Sequence, residues 1–457
     1  MEKLTIEEIA QAVGSADSFS GEITQLSTDS RTIPQGCLFV ALVGERFNGH
    51  DYVADAIKQG AAFAIAQEKR DYGTDKILYV NNTQDALMAI GRLYRSKFFI
   101  HCVGITGSVG KTTTKDMIAD VVSAGFRTLK TQGNLNNEIG LPKTLFQLDP
   151  SYEAAVIEMG MQGLGEIRAL AEVAQPQIGV ITNIGVSHME LLGSRENILK
   201  AKLELADVLP DGAPLILCGD NDLLRNVKIP RLNVQFYGID NPACMFRAEQ
   251  IHENLTETSF NLCYHNKQTA VTIPCVGRHN VLNALAACAV GTALGIPMDQ
   301  CAQALKQYVP SGMRQKIVSF GGYTVVEDCY NASPDSMKAA LSTLSSYPCG
   351  GRRIAVLGDM FELGDIASQA HTDVGIFSTQ KGIDFLFAYG DMARYYYQGA
   401  ESAGGKSQVY TDCESLVKAL KDFLCPGDVV WFKASRGMHL EQVLQGLYES
   451  GQESPVR

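Results

Sequence analysis

An apolar run, Phe98-Phe99-Ile100-His101-Cys102-Val103, leads into GITGSVGKTTT at 104–114, and a helical pattern follows over 113–122. A buried strand, a glycine-rich turn and a helix in that order make a phosphate-cradling loop. Glycines let backbone N–H groups close on phosphate oxygens, and the helix N-terminus adds positive potential. Lys111 is placed to reach the outer phosphates, and the Thr112 hydroxyl to ligate Mg²⁺. The chain is therefore tied to a nucleoside triphosphate. The common pattern G-x-x-x-x-G-K-[ST] wants glycine where Ile105 stands; Gly107 and Gly110 supply the flexibility instead.

Length and composition bound the rest. A chain of 457 residues suggests about three domains. Hydrophobic residues make up 46% and charged residues 19%, which fits sizeable packed cores. A net charge of −11 argues against a general nucleic-acid surface. Twelve cysteines are scattered with no C-x-x-C pair, so they read as reduced core residues of a cytoplasmic protein. The first fourteen residues read as an amphipathic helix with acids rather than a signal peptide. No apolar run approaches the length of a membrane span, so stable membrane insertion is not expected.

Helix and strand patterns alternate along the chain, which predicts an α/β fold. Residues 1–98 show strands at 38–42, 61–66 and 77–80 and helices at 52–59 and 85–97. Residues 99–312 carry the phosphate loop and further buried strands at 154–158, 178–184 and 215–217, as in a doubly wound, mostly parallel sheet. Short alternating strands over 245–274 predict a small antiparallel patch, and a helix at 280–294 closes the segment. Residues 313–457 alternate again, with strands at 323–327, 354–357, 385–388 and 429–432. Pro310-Ser311-Gly312 has the residues of a hinge.

Several side chains stand where chemistry is done in such sheets. Glu158 ends a buried strand, where ligands bind; it reads as a Mg²⁺ ligand beside Thr112 or as a helix cap. His188 follows another buried strand, as a ligand or a satisfied loop residue. Ile198, Lys202, Leu205, Ala206 and Leu209 follow helical spacing, so Lys202 lies within an apolar stripe. Its stem could be buried with the ammonium reaching water. Alternatively, burial could leave a neutral amine able to take up CO₂, giving an anionic oxygen ligand suited to Mg²⁺. Lys200, bracketed by Glu196 and Glu204, reads as a solvated face. The asparagine-rich stretch 133–142, and His279, Asn280 and Asn283 at a helix start, suit either plain structure or a base edge. Arg314 stands at the hinge. Asp328, Tyr330 and Asn331 precede a helix begun by Ser333-Pro334. Lys433, Ser435 and Arg436 follow a strand end.

Eight blocks in order, TGSVGKTTTK, GNLNNEIGLP, IEMG, TNIGVSHME, AKLEL, GRHNVLNALAA, GMRQ and KASRGMHLE, resemble the Mur ligases of peptidoglycan synthesis. The resemblance implies three domains: 1–98 for a UDP-sugar substrate, 99–312 for ATP, and a Rossmann-like 313–457 for the incoming amine. The segment 29–53 resembles the late-acting members. DCYNASPDSM at 328–337 with LGDMFELG at 357–364 resembles the member that adds D-alanyl-D-alanine to UDP-N-acetylmuramoyl-tripeptide. The D-N-P-R string expected of the diaminopimelate-adding relative is absent.

By the same resemblance, Gly107, Ser108, Gly110, Lys111, Thr112 and Thr113 would bind ATP. Asn283 would lie near adenine, Asp328 at the ribose and Arg314 at the γ-phosphate. Two Mg²⁺ sites are implied: Thr112 and Glu158 at one, His188 and a carbamylated Lys202 at the other, with CO₂ the source of the carbamate. Lys111, Lys202, His188 and Arg314 would be the catalytic set. Ser30, Arg31 and the loop 44–50, with Asn48 in it, are candidates for the uridine diphosphate, and Tyr330, Asn331, Lys433 and Ser435 for the remaining substrate contacts. The expectation is a cytoplasmic monomer forming an amide through an acyl phosphate. Other ligases of the family, including folylpolyglutamate synthetase, and a non-catalytic nucleotide switch are the competing readings.

Overall fold

A computed structural model describes residues 1–17 and 19–449. Its described residues form sheets of two, four, nine and six strands. The first residues do not continue a helix from the N-terminus. Leu4–Thr5 pairs antiparallel with Glu22–Ile23, and the helix Ile6–Val13 starts behind Thr5, which shares a capping box with Glu8. Four short parallel strands follow in spatial order Leu26–Ser27, Leu38–Val40, Phe63–Ala66 and Ile77–Tyr79.

The nine-stranded sheet holds the phosphate loop. Its order is Lys267–Ile273, Thr258–Tyr264, Phe246–Glu253, Asn233–Gly238, Pro214–Cys218, Ile178–Ile181, His101–Thr106, Ala154–Glu158 and Thr128–Lys130. Strands such as Ala154–Glu158 are buried throughout, as expected where helices cover both faces of a parallel sheet. The expected antiparallel patch is present at one end of this sheet. Phe246–Glu253 pairs parallel with Asn233–Gly238, and two antiparallel neighbours extend the same sheet. The long helix, Arg278–Ala293, does not close the segment, because Met298–Lys306 follows it.

One apolar cluster runs from Leu4 to Tyr308, so the first unit shares a core with the central one. The helix Thr83–Ser96 carries the join. Tyr94 donates to the Leu148 carbonyl at 2.6 Å, and Arg95 Nε to the Ala174 carbonyl at 2.9 Å. The six-stranded sheet, ordered Lys316–Phe320, Tyr323–Asp328, Val429–Lys433, Arg353–Gly358, Phe385–Tyr389 and Ser407–Tyr410, has its own apolar cluster on each face.

Chain order in the central sheet reverses about His101–Thr106. The next strand lies at the edge, the following one returns beside it, and Ile178–Ile181 takes the opposite side. That reversal leaves a crevice at the strands' C-terminal ends, the usual ligand position of open α/β sheets.

Candidate active site

The crevice opens into a cavity of about 950 Å³, which is also lined by the C-terminal edge of the six-stranded sheet. The central sheet supplies Ser108 to Thr113, Glu158 and His188; the helix at 278 supplies His279 and Asn283. Arg314, Asp328, Tyr330, Asn331, Glu362, Lys433, Ser435 and Arg436 come from the other side. Residues more than 200 positions apart thus face one space.

The phosphate loop is built by close approach. Ile105 is wholly buried inside its strand, so the glycine of the common pattern would fall in the core here. The freedom is needed two residues later. Gly107 has φ 153°, and a Cβ there would collide with the Thr182 hydroxyl. Gly110, at φ 83°, caps the helix Lys111–Ser123. Lys111 Nζ donates to the Gly107 carbonyl at 2.8 Å. Burial pushes the Lys111 ammonium below its ordinary range, with Glu158 opposing and Arg314 adding to the effect. Beneath the loop, Thr114 Oγ1 donates to Asn283 Oδ1 at 2.9 Å, and Asn283 Nδ2 to Asn280 Oδ1 at 3.1 Å. Asn283 borders the cavity, but its amide supports the loop.

Glu158 is buried. Its Oε1 accepts from Asn136 Nδ2 at 2.8 Å, while Oε2 is buried with no hydrogen-bond partner. An unpartnered buried carboxylate oxygen is costly unless a cation or donor meets it. Lys202 is 1% exposed, and among the described residues its ammonium has no partner. Burial holds its pKa well below the ordinary value, and the nearby Lys111 charge lowers it further. Snorkelling to water is therefore not what this lysine does. Glu204 also departs from expectation. It does not face solvent beside Lys200; it is buried and accepts from the Gly165 and Arg168 backbone at 2.7 and 3.1 Å, holding the start of a neighbouring helix.

At the hinge, Arg314 Nη2 donates to Thr112 Oγ1 at 3.2 Å, and its guanidinium lies 3.6 Å from the Tyr330 ring centroid. Gln315 contacts His279 Nε2 at 2.9 Å and accepts from Asn280 Nδ2 at 2.7 Å. Asp328 and Lys433 sit opposite each other on adjacent strands and pair at 2.7 Å. Lys433 Nζ also donates to the Asn331 carbonyl at 3.2 Å, and Ser435 Oγ accepts from Phe361 N at 3.0 Å.

The structure does not bring the first-unit candidates to this cavity, since Ser30, Arg31 and Asn48 do not line it. The Ser30 carbonyl accepts from Gln59 Nε2 at 3.3 Å. The Arg31 side chain is 84% exposed and forks onto Asp29. Asn48 donates to Glu68 at 2.7 Å and caps the turn at His50. Among the cavity residues without an individually assigned part are Asn136, inside the asparagine-rich stretch, and Glu362, inside LGDMFELG. The position that singled out Glu158, the C-terminal end of a buried strand, is approached by Glu362, four residues beyond Arg353–Gly358.

Comparison with known proteins finds three family descriptions that match successive parts of the chain. Residues 22–94 match the description "Mur ligase family, catalytic domain", 105–291 "Mur ligase middle domain", and 313–436 "Mur ligase, glutamate ligase domain". The UDP-N-acetylmuramoyl-tripeptide–D-alanyl-D-alanine ligase of Bacillus subtilis is 38% identical over 98% of this chain and 99% of its own. That of Escherichia coli is 33% identical over 93% of this chain and 94% of its own. Among solved structures, MurF from Acinetobacter baumannii superposes with a TM-score of 0.92 at 29% identity, over 98% of this chain and 99% of that one. MurF from Thermotoga maritima, in complex with ADP, gives 0.85 at 28% identity, over 93% and 97%.

Proposed function

The chain belongs to the Mur ligase family, and from that premise we propose how its cavity carries out the family's chemistry. The protein is an ATP-dependent ligase that joins D-alanyl-D-alanine to UDP-N-acetylmuramoyl-tripeptide, a step of peptidoglycan precursor synthesis. One observation carries the mechanism. The phosphate loop and the C-terminal edge of the six-stranded sheet line a single cavity, so a phosphoryl donor and an amine can meet in one place.

A carboxylate is a poor electrophile, because its charge repels an amine and it has no leaving group. Transfer of the γ-phosphoryl group of ATP to the tripeptide's terminal carboxylate gives an acyl phosphate. The dipeptide amine attacks its carbonyl carbon, an oxyanion forms, and phosphate leaves as the amide closes. Lys111 and the loop amides at Gly107, Ser108, Gly110, Thr112 and Thr113 hold the β- and γ-phosphates. Arg314, already against Thr112, offsets the charge of two anions brought together. The two sheet edges meeting over the cavity exclude water from the acyl phosphate. Asn283 supports the loop at the adenine end and Asp328 contacts the ribose. Tyr330, Asn331, Lys433 and Ser435 contact the substrates on the C-terminal side.

The donor set suits Mg²⁺. Glu158 Oε2 is buried and unsatisfied, and the Thr112 hydroxyl stands at the loop. No group of three or more His, Cys, Asp and Glu side chains is assembled among the described residues. That pattern fits an ion that keeps waters and shares substrate phosphates. Thr112 and Glu158 would hold one ion, His188 and Lys202 another, and when bound they would neutralise phosphate charge. Lys202 suits CO₂ uptake because its amine is buried and lacks a partner. The neutral amine attacks CO₂; N–C bond formation releases one proton and converts a neutral amine into an anionic oxygen donor.

In the first unit, Ser30 and Arg31 contact the uridine diphosphate, and Asn48 shapes the loop that receives it. Val43, Phe47 and Tyr52 expose apolar surface beside them. The protein works as a cytoplasmic monomer. For the compartment, among the described residues all twelve cysteines are free and nine are buried; no described helix is long and apolar enough to cross a membrane.

The test is phosphate release from ATP with UDP-N-acetylmuramoyl-tripeptide, with and without D-alanyl-D-alanine, and with lysine or glutamate in its place. Turnover requiring both the nucleotide and the dipeptide is expected. Equal ATP hydrolysis without either would refute the assignment.

A further inference from the structure

Glu362 and His188 come from different sheets and meet at the cavity. Glu362 follows the strand Arg353–Gly358; His188 follows the strand Ile178–Ile181. Glu362 Oε2 lies 2.8 Å from His188 Nδ1, the separation of a charge-assisted hydrogen bond, although Nδ1 is still without a well-directed one. Both residues hold left-handed backbone, φ 61° and 65°. Non-glycine residues hold that conformation at a cost of roughly 1 kcal/mol or more, and it persists where the surroundings dictate it. Here the surroundings are the two segments themselves. Gly364 packs 3.2 Å, at an added Cβ, from the Glu190 backbone, so the loop bearing Glu362 lies directly on the turn bearing His188.

We propose that Glu362 is a positioning residue that fixes the tautomer and orientation of His188, so that the cation site containing His188 is completed only when the six-stranded sheet is docked on the central one. This rests on the reading of His188 as a cation ligand. A ligating histidine characteristically gives its second ring nitrogen to a carboxylate, which sets the tautomer and raises the basicity of the nitrogen facing the metal. With Nδ1 at Glu362, that nitrogen is Nε2. The unusual element is the carboxylate's origin in the unit expected to bring the amine. Cation affinity and docking are then linked, and each favours the other to the same degree.

Mn²⁺ binding to the full chain with a non-hydrolysable ATP analogue, followed by electron paramagnetic resonance, tests this without turnover. His188→Ala should weaken one class of bound Mn²⁺. Glu362→Gln should weaken the same class by about 10-fold or more, the effect of losing an outer partner, and leave nucleotide affinity unchanged. Glu362→Asp should restore part of it. In turnover, Glu362→Gln should lower kcat with little change in KM for ATP. Should Glu362→Gln bind Mn²⁺ like the wild type while His188→Ala does not, the positioning role is wrong and the ligand reading survives. Unchanged binding in His188→Ala overturns both. Asp365→Asn removes an exposed carboxylate from the same loop. An equal loss there would make the effect one of bulk charge and overturn the proposal.

Discussion

Tyr330 carries Arg314: the guanidinium lies 3.6 Å from the ring centroid while Nη2 donates to Thr112 Oγ1 at 3.2 Å. A residue at the hinge is thereby stacked on the C-terminal unit and bonded to the phosphate loop at once. Arg314→Ala should leave ATP affinity of the isolated protein nearly unchanged and lower kcat by about 100-fold or more, as loss of a contact to developing charge does. Tyr330→Phe should keep most activity and Tyr330→Ala should lose more, because the ring face is the support. Steady-state kinetics with equilibrium nucleotide binding separates the two effects; a parallel loss of binding and rate would contradict them.

Lys202 is buried without a partner, and burial disfavours its charged form. Lys202→Ala should abolish ligation, and short carboxylic acids should restore part of it by supplying an anionic oxygen. ¹³C-labelled bicarbonate should give a carbamate carbon signal in the wild type that is missing in Lys202→Ala. If neither bicarbonate nor carboxylates alter the rate of any Lys202 variant or of protein stripped of CO₂, the carbamate has no part in the reaction.

Gly107 sits where its backbone passes Thr182 with no room for a methyl group, at a φ of 153°. Gly107→Ala should push the loop off the Thr182 strand end and remove measurable ATP binding, while far-UV circular dichroism stays that of the wild type. The same substitution at Gly133, φ 54° with open space around it, should cost only about 1 kcal/mol of stability and leave ATP binding intact. Calorimetric titration of both variants with ATP checks the contrast.

The parts read from sequence were those that periodicity and strand-end position encode. Ala154–Glu158 was legible as five apolar or end-of-strand residues, and the phosphate loop as a strand, turn and helix over 101–123. What could not be read depends on through-space partners. Glu204 looked solvated because helix spacing sets it beside Lys200, yet it turns to cap another helix 39 residues away. The antiparallel patch was legible, but where it attaches was not, because sequence gives no register; the parallel pairing of Tyr237 with Phe246 joins it to the main sheet. Glu362 stands four residues beyond a strand end, where Glu158 stands at one, and only its meeting with His188 distinguishes it from other acids after strands.

Asp359 is buried at a strand end, accepts from the Asp391 and Met392 backbone at 3.0 and 3.1 Å, and has its pKa pushed up to about 6 by burial, from an ordinary 3.8. With the folded value above the unfolded one, the folded protein binds more protons between those values. Its contribution to stability is fully present below pH 3.8 and is lost as pH rises through about 6. Asp359→Asn cannot titrate. The stability of the wild type relative to this variant should fall between pH 4 and 6.5 and be flat above. Urea unfolding across that range measures the difference, and a flat difference throughout would contradict the assigned shift.

Gly185 is a point of close approach between the C-terminal unit and the central one, since a Cβ there would meet the Asp335 carboxylate. Asp335 lies in the first turn of the helix Pro334–Ser346, against the Val186 backbone. Gly185→Ala should therefore hold the two sheets apart. ATP binding to the phosphate loop should survive, while kcat falls by about 10-fold or more, because the reacting groups arrive from opposite sides of the gap. Solution scattering should show a larger radius of gyration with nucleotide bound. The double variant Gly185→Ala, Asp335→Ala removes the colliding carboxylate for about 1 kcal/mol or less of helix-terminus stabilisation. It should recover much of the lost rate. Recovery would identify the collision as the cause; a double variant as slow as the single one would mean that Gly185 acts through its own loop, and that docking is not governed at this contact.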